Sequence, residues 1–181
     1  MEIYLIRHTT PEIANGVCYG QSDIPLSKSF EIQKEKVLSQ LPNDLDIIYS
    51  SPLKRCRMLL TSIDCSKKIT DPRLMELNFG DWELKKWDEI NHEELSKWME
   101  NYLEIAPPKG ENFLDLHRRV SSFWDSLKNS PFKKVAVISH AGVIRIISGI
   151  VNKTDLKKMM DLKIAYGQVF KVTMKNKKAD C

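Results

Sequence analysis

Residues 1–10 read MEIYLIRHTT, and our interpretation of the whole chain starts from this stretch. Its first six residues are mostly apolar and include β-branched and aromatic side chains, which is typical of a buried strand. Arg7 and His8 follow at the carboxyl end of this strand, and in an open α/β sheet the carboxyl ends of the strands are where ligands bind. Arginine holds anionic oxygens in pairs and a neutral imidazole is a nucleophile, so the two residues are candidates for phosphate chemistry. Taken alone, the dipeptide is better explained as two solvated residues at a strand end than as a phosphate site. The evidence for a phosphate site comes from the rest of the chain.

Length and composition are those of an ordinary globular domain. The chain has 181 residues, of which 42% are hydrophobic and 29% charged, so one domain with a full core is expected. The net charge of +4 is compatible with anionic substrates, but it is too small and too dispersed to predict nucleic-acid binding. The densest basic run, residues 175–178, follows the last apolar stretch and is expected to be a solvated terminus.

The cysteines predict neither a zinc site nor a disulfide framework. They stand at positions 18, 56, 65 and 181 without a CxxC pair. No apolar run approaches the roughly 20 residues that cross a bilayer, and no basic-then-apolar signal segment opens the chain. We therefore expect a cytoplasmic protein that acts without a membrane.

A long loop and a helix follow the first strand. Residues 9–28 contain two prolines and two glycines without sustained periodicity, and a loop of this length is usually functional. Tyr19 and Gly20 lie in it as candidate pocket residues, although a purely structural loop is about equally plausible for each. Ser29 is expected to cap a helix whose apolar face consists of Phe30, Val37, Leu38 and Leu41.

A second strand–helix unit carries Arg55. Residues 46–49 predict a short buried strand, and Ser50 or Ser51 is expected to cap the next helix, with Pro52 at its first position. The buried stripe of this helix is predicted to consist of Leu53, Cys56, Leu60 and Ile63. Arg55 lies off the stripe near the positive end of the helix, which makes a plausible anion site. For a lone arginine, however, a surface position is the more common outcome.

Glu76 lies among apolar neighbours in the stretch RLMELNFGDWE, residues 73–83. Such surroundings disfavour the charged form of a carboxyl group, as a general acid requires, although a glutamate that points outward fits the pattern too. Aromatic residues then alternate with charged ones, and residues 82–110 are interpreted as a small helical cap inserted into the domain. Helical spacing within this cap is shared by Leu95, Trp98, Met99 and Tyr102.

In the last third of the chain, a second predicted strand is followed by a histidine. A long helix is predicted first, with His117 and Arg118 solvated and a buried stripe of Phe113, Leu116, Val120, Phe123 and Leu127. Residues 135–139, VAVIS, are the clearest strand and suit a central parallel position. His140, Ala141 and Gly142 follow. Small residues there let a ligand approach the backbone N–H groups of the next helix.

Helices over residues 143–151 and 154–162 and an edge strand over residues 168–174 complete the prediction. Strands and helices therefore alternate, which predicts an α/β fold in three α/β/α layers around a mostly parallel sheet, as a single domain over residues 1–181. Two of the four histidines follow strands. The other two, His92 and His117, lie in charged helical segments, and no histidine pair has the spacing of metal ligands, so neither a metal nor a cofactor is expected.

As a set, five segments resemble the histidine phosphatase superfamily, in its phosphoglycerate mutase-like branch. In the order of the family they are LIRHT (5–9), YGQSDIPLS (19–27), SSPLKRC (50–56), RLMELNFGDWE (73–83) and SHAGVIR (139–145). The beginning of the chain and the YGQSD and FGDWE segments are most similar to the α-ribazole phosphatase-like members, which act in cobalamin nucleotide-loop assembly. The resemblance implies a phosphoglycerate mutase-like fold.

The resemblance also implies roles for individual residues. His8 would be the nucleophile that is phosphorylated, Glu76 would be the proton donor, and Arg7, Arg55 and His140 would form the phosphate pocket. Further substrate contacts would come from Ala141, Tyr19 and Gly20. Two positions depart from the family pattern: Thr9 stands where glycine is usual, and Ala14 stands where asparagine is usual.

The function expected from this resemblance is hydrolysis of a small phosphomonoester, with α-ribazole 5′-phosphate as one candidate substrate. A broad-specificity phosphatase and a phosphoglycerate mutase are alternatives within the family. A binding protein that has kept the fold without catalysis is an alternative of another class. The expected partner is a small phosphorylated metabolite, and both a monomer and a homodimer are compatible with the sequence.

Overall fold

A computed structural model describes residues 1–174 of the chain. The strands are β1 (Glu2–Arg7), β2 (Ile47–Ser50), β3 (Lys68–Thr70), β4 (Lys134–Ser139) and β5 (Val169–Thr173). The α-helices are α1 (Phe30–Leu38), α2 (Lys54–Ser62), α3 (His92–Glu100), α4 (Phe113–Lys128) and α5 (Ala141–Asn152). Short 3₁₀ helices cover Pro72–Leu74, Gly80–Trp82, Trp87–Glu89 and Leu156–Asp161. The basic run at 175–178 and Cys181 lie outside the described residues.

The five strands form one sheet in the order β3-β2-β4-β1-β5, in which only β5 is antiparallel to its neighbour. The central pair is β1 and β4, and Arg7 at the end of β1 lies opposite Ser139 at the end of β4. Because the two strands are parallel and end in register, the residues that follow them, His8 and His140, emerge at the same edge of the sheet.

Alternating residues of the central strands pack on opposite faces of the sheet. Ile3, Leu5, Val135 and Val137 belong to the core cluster that contains the buried stripe of α4 and the apolar face of α5. Tyr4, Ile6, Ala136 and Ile138 belong to a second cluster, with side chains from α1 and α2. The sheet therefore lies between two helical layers, which confirms the predicted three-layer α/β/α fold. The predicted stripes of α2 and α4 are buried throughout.

The predicted serine caps are wrong in detail. The second helix begins at Lys54, two residues after Pro52, and its N-cap position, Leu53, makes no side-chain cap hydrogen bond. The hydroxyl of Ser51 accepts from the Leu53 N–H group at 3.3 Å and also lies 2.8 Å from His140 Nε2. Ser29 does occupy the N-cap position of α1, but its hydroxyl accepts from the Gln33 side chain instead of a backbone N–H group.

Several predicted element boundaries also differ from the structure. The fifth helix begins at Ala141, two residues earlier than predicted, and the short helix predicted over 154–162 is a 3₁₀ helix over Leu156–Asp161. Leu41 lies beyond the end of α1. His117 is half-buried, whereas it was predicted to be solvated, and Arg118 is exposed as expected.

The predicted cap contains α3 and packs through its aromatic residues. Trp98 is surrounded by Phe79, Trp82 and Trp87, with ring centroids 5.8 to 6.2 Å from its own. Of the residues predicted to share a helical spacing, Met99 lies in α3 with 64% of its surface exposed, and Tyr102 lies beyond the last residue of α3. Among residues 1–174, no helix is long and apolar enough to cross a membrane.

Candidate active site

The candidate site lies at the carboxyl ends of β1 and β4. The rings of His8 and His140 lie edge to face, with centroids 5.1 Å apart, and both side chains are buried. Arg55, from α2, is fully buried as well. The structure brings these three residues together, since the charge of Arg55 also lowers the pKa of both histidine rings, and their roles in the site stay a prediction. An arginine off the apolar stripe of its helix is buried here because its helix starts at the edge of the sheet where both histidines emerge.

Backbone geometry fixes the proton on His8. Its Nδ1 atom lies 2.7 Å from the carbonyl oxygen of Thr9. Since a carbonyl only accepts, Nδ1 carries the hydrogen, and Nε2 keeps its lone pair in the neutral ring. Burial, and next the positive charge of Arg55, hold the pKa of His8 well below its usual value. The departure from glycine at position 9 does not disturb this contact, since a threonine supplies the same carbonyl.

Arg55 is held by the loop that precedes α1. Its Nη1 and Nη2 atoms donate to the carbonyl oxygens of Ser22 and Gly20, at 2.8 and 2.5 Å. Gly20 is required for this approach, because a Cβ atom there would lie 1.9 Å from the carbonyl oxygen of Leu77. The loop is fixed in turn by Glu83, whose carboxylate accepts from the backbone N–H groups of residues 21 and 22 at 2.8 and 2.6 Å. The sequence did not single out Glu83.

Arg7 lies beside a tyrosine that the sequence analysis missed. The guanidinium carbon is 3.7 Å from the centroid of the Tyr166 ring, and Nη1 donates to the carbonyl oxygen of Ile164 at 2.5 Å. The same tyrosine ring is 5.5 Å from the ring of His8. The hydroxyl of Tyr19 lies 2.5 Å from that of Tyr166. Tyr19 and Tyr166 thus form one wall of the site, next to a cavity of about 160 Å³ that Ala14 also lines.

Ser51 sets the orientation of His140. Its hydroxyl oxygen accepts from the Leu53 N–H group at 3.3 Å and lies 2.8 Å from His140 Nε2. The hydroxyl hydrogen is therefore available to Nε2, and this arrangement favours the tautomer with the ring hydrogen on Nδ1. Burial, followed by the charge of Arg55, lowers the pKa of His140 well below its usual value. His140 is therefore a neutral hydrogen-bond donor in this state.

Three buried nitrogen atoms of these residues have no hydrogen-bond partner within residues 1–174. They are the Nε atoms of Arg7 and Arg55 and Nδ1 of His140. Buried donors are almost always partnered in proteins, so such a group needs an explanation. Two guanidinium groups and an imidazole N–H beside a nucleophilic nitrogen suit a tetrahedral anion such as a phosphoryl group.

Glu76 reaches the site from the segment after β3. Its Oε2 atom accepts from the Gly142 N–H group at 3.2 Å, in the first turn of α5 and two residues after His140. A Cβ atom at position 142 would lie 2.3 Å from Oε1, so a glycine is needed for this contact. The side chain is half-buried, as an acid that meets a substrate has to be. Ala141 begins α5 beside it, and its substrate contact stays a prediction.

The two buried histidines lead to a prediction about stability. In the unfolded chain both rings titrate near pH 6.5, whereas folding lowers the pKa of each ring well below that value. As the pH falls through about 6.5 the unfolded state therefore binds more protons, and the free energy of unfolding should fall with a slope that approaches about 1.4 kcal/mol per pH unit for each histidine about one unit lower.

Urea unfolding at several pH values between 5.5 and 7.5 measures this slope. The variant His8→Asn lacks one of the two groups and should show a slope smaller by the contribution of one histidine. Identical slopes in the two proteins would contradict the burial of a neutral His8.

Within residues 1–174, no group of three or more His, Cys, Asp or Glu side chains is arranged to hold a metal ion.

Comparison with known proteins connects this chain to one family. The signature of the histidine phosphatase superfamily (branch 1) matches residues 3–181. A putative phosphoserine phosphatase 2 of Hydrogenobacter thermophilus is 26% identical, over 98% of this chain and 91% of that protein. An adenosylcobalamin/alpha-ribazole phosphatase of Salmonella typhimurium is 30% identical, over 81% of this chain and 77% of that protein. The crystal structure of the alpha-ribazole phosphatase from Shigella flexneri has the same fold, with a TM-score of 0.90 at 22% identity, covering 97% of this chain and 92% of that one.

Proposed function

Because this chain belongs to branch 1 of the histidine phosphatase superfamily, we propose that it is a phosphatase that hydrolyses small phosphomonoesters through a phosphohistidine at His8. The observation that carries this proposal is the environment of the His8 ring. Its Nδ1 hydrogen is fixed on the Thr9 carbonyl, so Nε2 is free to attack. Arg55 is buried beside it, and the His140 ring is 5.1 Å away.

In the first step, His8 Nε2 attacks the phosphorus atom in line with the ester oxygen. A bond forms between nitrogen and phosphorus, the ester bond breaks, and the leaving oxygen takes a proton from Glu76. Arg7, Arg55 and the His140 N–H group hold the phosphoryl oxygens, because positioning and charge stabilisation supply most of the catalysis of phosphoryl transfer. In the second step, Glu76 as a base takes a proton from water, which attacks phosphorus and releases phosphate from His8.

The substrate is proposed from the names of two relatives. One is named for phosphoserine and the other for adenosylcobalamin and α-ribazole. The phosphate esters of serine and of α-ribazole are both phosphomonoesters of a small alcohol. α-Ribazole 5′-phosphate is the more specific candidate, and a broad-specificity phosphatase is the alternative. A mutase is disfavoured, because it holds a bisphosphorylated intermediate with additional cations, and residues 74–117 contain no arginine. A cytoplasmic location stays a prediction.

A substrate panel tests the proposal. We expect phosphate release from small phosphomonoesters, with inhibition by vanadate, and a spread in kcat/KM that identifies the leaving group. The panel should contain α-ribazole 5′-phosphate, phosphoserine, 3-phosphoglycerate, sugar phosphates and nucleotides. Release of phosphate from none of them, together with tight binding of one, would favour the non-catalytic binding protein instead. Conversion of 3-phosphoglycerate to its isomer without phosphate release would favour a mutase.

A further inference from the structure

Arg119 is the feature that the proposed chemistry leaves unexplained. It lies on α4, and its side chain is 20% exposed. Its Nη1 atom donates to the carbonyl oxygens of Arg73 and Met75, at 2.9 and 2.7 Å, and its Nη2 atom donates to the carbonyl oxygen of Glu76 at 2.8 Å. One guanidinium group therefore holds three carbonyls of the segment that carries Glu76.

The remaining donors of Arg119 bind Glu111. Nε lies 3.1 Å from Oε2 of this glutamate and Nη2 lies 2.5 Å from Oε1. The same Oε1 accepts from the backbone N–H group of Asn78 at 3.1 Å. A guanidinium group has five N–H donors, and Arg119 makes five hydrogen bonds. The pair thus fixes the backbone on both sides of Glu76.

The segment between β3 and α3 needs such support, because it has little regular structure of its own. Only residues 72–74 and 80–82 form short 3₁₀ helices before the cap. The carbonyl of Glu76 accepts from one further side chain, the amide of Gln21, at 3.0 Å. The carboxylate of Glu76 accepts from the N–H groups of Leu77 and Gly142, at 3.0 and 3.2 Å, so the position of the carboxylate depends on the course of this backbone.

We propose that Arg119 is a positioning residue for the proton donor, which it keeps aligned with the leaving oxygen through the backbone of residues 73–76. This inference rests on the proposed role of Glu76 as the acid. A lysine cannot replace the arginine, because a single ammonium group does not reach three carbonyls and a carboxylate in a planar arrangement. Arg119→Lys therefore keeps the charge and loses the alignment.

The test compares two substrates that differ in how much they need a proton. The alkoxide of serine is a poor leaving group, so hydrolysis of phosphoserine depends on a proton from the acid. The p-nitrophenolate ion is a good leaving group and departs without a proton. We expect Arg119→Lys to lower kcat/KM for phosphoserine ten- to a hundredfold more than for p-nitrophenyl phosphate, on the order expected for a misplaced catalytic group. Arg118→Lys is the matched control, since the neighbouring Arg118 is 76% exposed and pairs with Asp115 on the surface. It should leave the ratio of the two substrates within about twofold, the ordinary range of surface substitutions.

Combination with Glu76→Gln separates positioning from general damage. If Arg119 acts through Glu76, the double variant should show the same substrate ratio as Glu76→Gln alone. The inference would be overturned if the double variant changed the substrate ratio by the product of the two single effects, or if Arg119→Lys lowered kcat/KM equally for both substrates. Either result would leave the acid role of Glu76 intact. If Glu76→Gln itself leaves the ratio unchanged, the acid role fails and the inference fails with it.

A second variant keeps the test decisive if Arg119→Lys does not fold. Glu111→Gln retains the guanidinium and its three carbonyl contacts but weakens the pairing that orients it. We expect a shift of the substrate ratio in the same direction by at least about twofold, the size of one weakened hydrogen bond. An unchanged ratio in folded Glu111→Gln would then overturn the inference.

Discussion

We expect His8→Ala to reduce phosphate release to the background of a blank assay and to abolish the phosphorylated form of the protein. Of the two histidines of the candidate site, His8 combines a fixed neutral tautomer with a free ring nitrogen, whereas His140 Nε2 is engaged by Ser51. Loss of a nucleophile in an assembled site costs on the order of 10⁶ in turnover. This is the largest effect that the structure predicts.

Rapid quenching with substrate, followed by mass spectrometry of the intact chain, measures the phosphorylated form. The adduct should be labile in acid and stable in base, as phosphohistidine is. His92→Ala is the matched control, because His92 is exposed at the start of α3 and should leave both turnover and adduct unchanged. Turnover that persists in His8→Ala, or an adduct on another residue, would remove the nucleophile role from His8.

The sequence predicted best those site residues that follow the ends of strands. His8 and His140 each follow a continuous apolar run, and such runs are recognisable because buried parallel strands are apolar on both faces. The register of β1 and β4 then brings the two rings together. Arg55 was predicted on weaker grounds, since its position in the helix allowed a surface location as well.

Residues that complete the site through long-range contacts have no local sequence signal. Tyr166 contacts Arg7 and Tyr19 from a turn just before the last strand, and nothing in its neighbours distinguishes it from a turn residue. Glu83 and Arg119 lie in charged stretches, and such a pattern is typical of solvated side chains. Their roles depend on backbone groups elsewhere in the chain, which composition and spacing do not reveal.

The misplaced helix cap has a related cause. Ser51 before a proline is a strong local signal for the beginning of a helix, and the prediction followed it. In the structure the hydroxyl lies against His140, and the helix begins later, at Lys54. The hydroxyl still accepts from the Leu53 N–H group, so one side chain serves both the local preference and the contact with His140.

Glu76→Gln is expected to have the second largest effect, and it should depend on the leaving group. The variant keeps the size of the side chain but has no proton to transfer, and general acid catalysis contributes about 10²–10⁴-fold. We expect a loss of this size in kcat/KM for phosphoserine and a much smaller loss for p-nitrophenyl phosphate. The measurement is kcat/KM for both substrates at one pH.

Glu100→Gln is a suitable control, because Glu100 is exposed at the end of α3 and should change neither substrate. The second half-reaction supplies a separate check. If Glu76 also activates water, Glu76→Gln should accumulate the phosphohistidine with p-nitrophenyl phosphate, since its formation needs no acid while its hydrolysis needs the base. A burst of p-nitrophenol followed by slow turnover would report this. Equal losses on both substrates without a burst would contradict both roles, because the carboxylate would then only maintain the backbone near the Gly142 N–H group that it contacts.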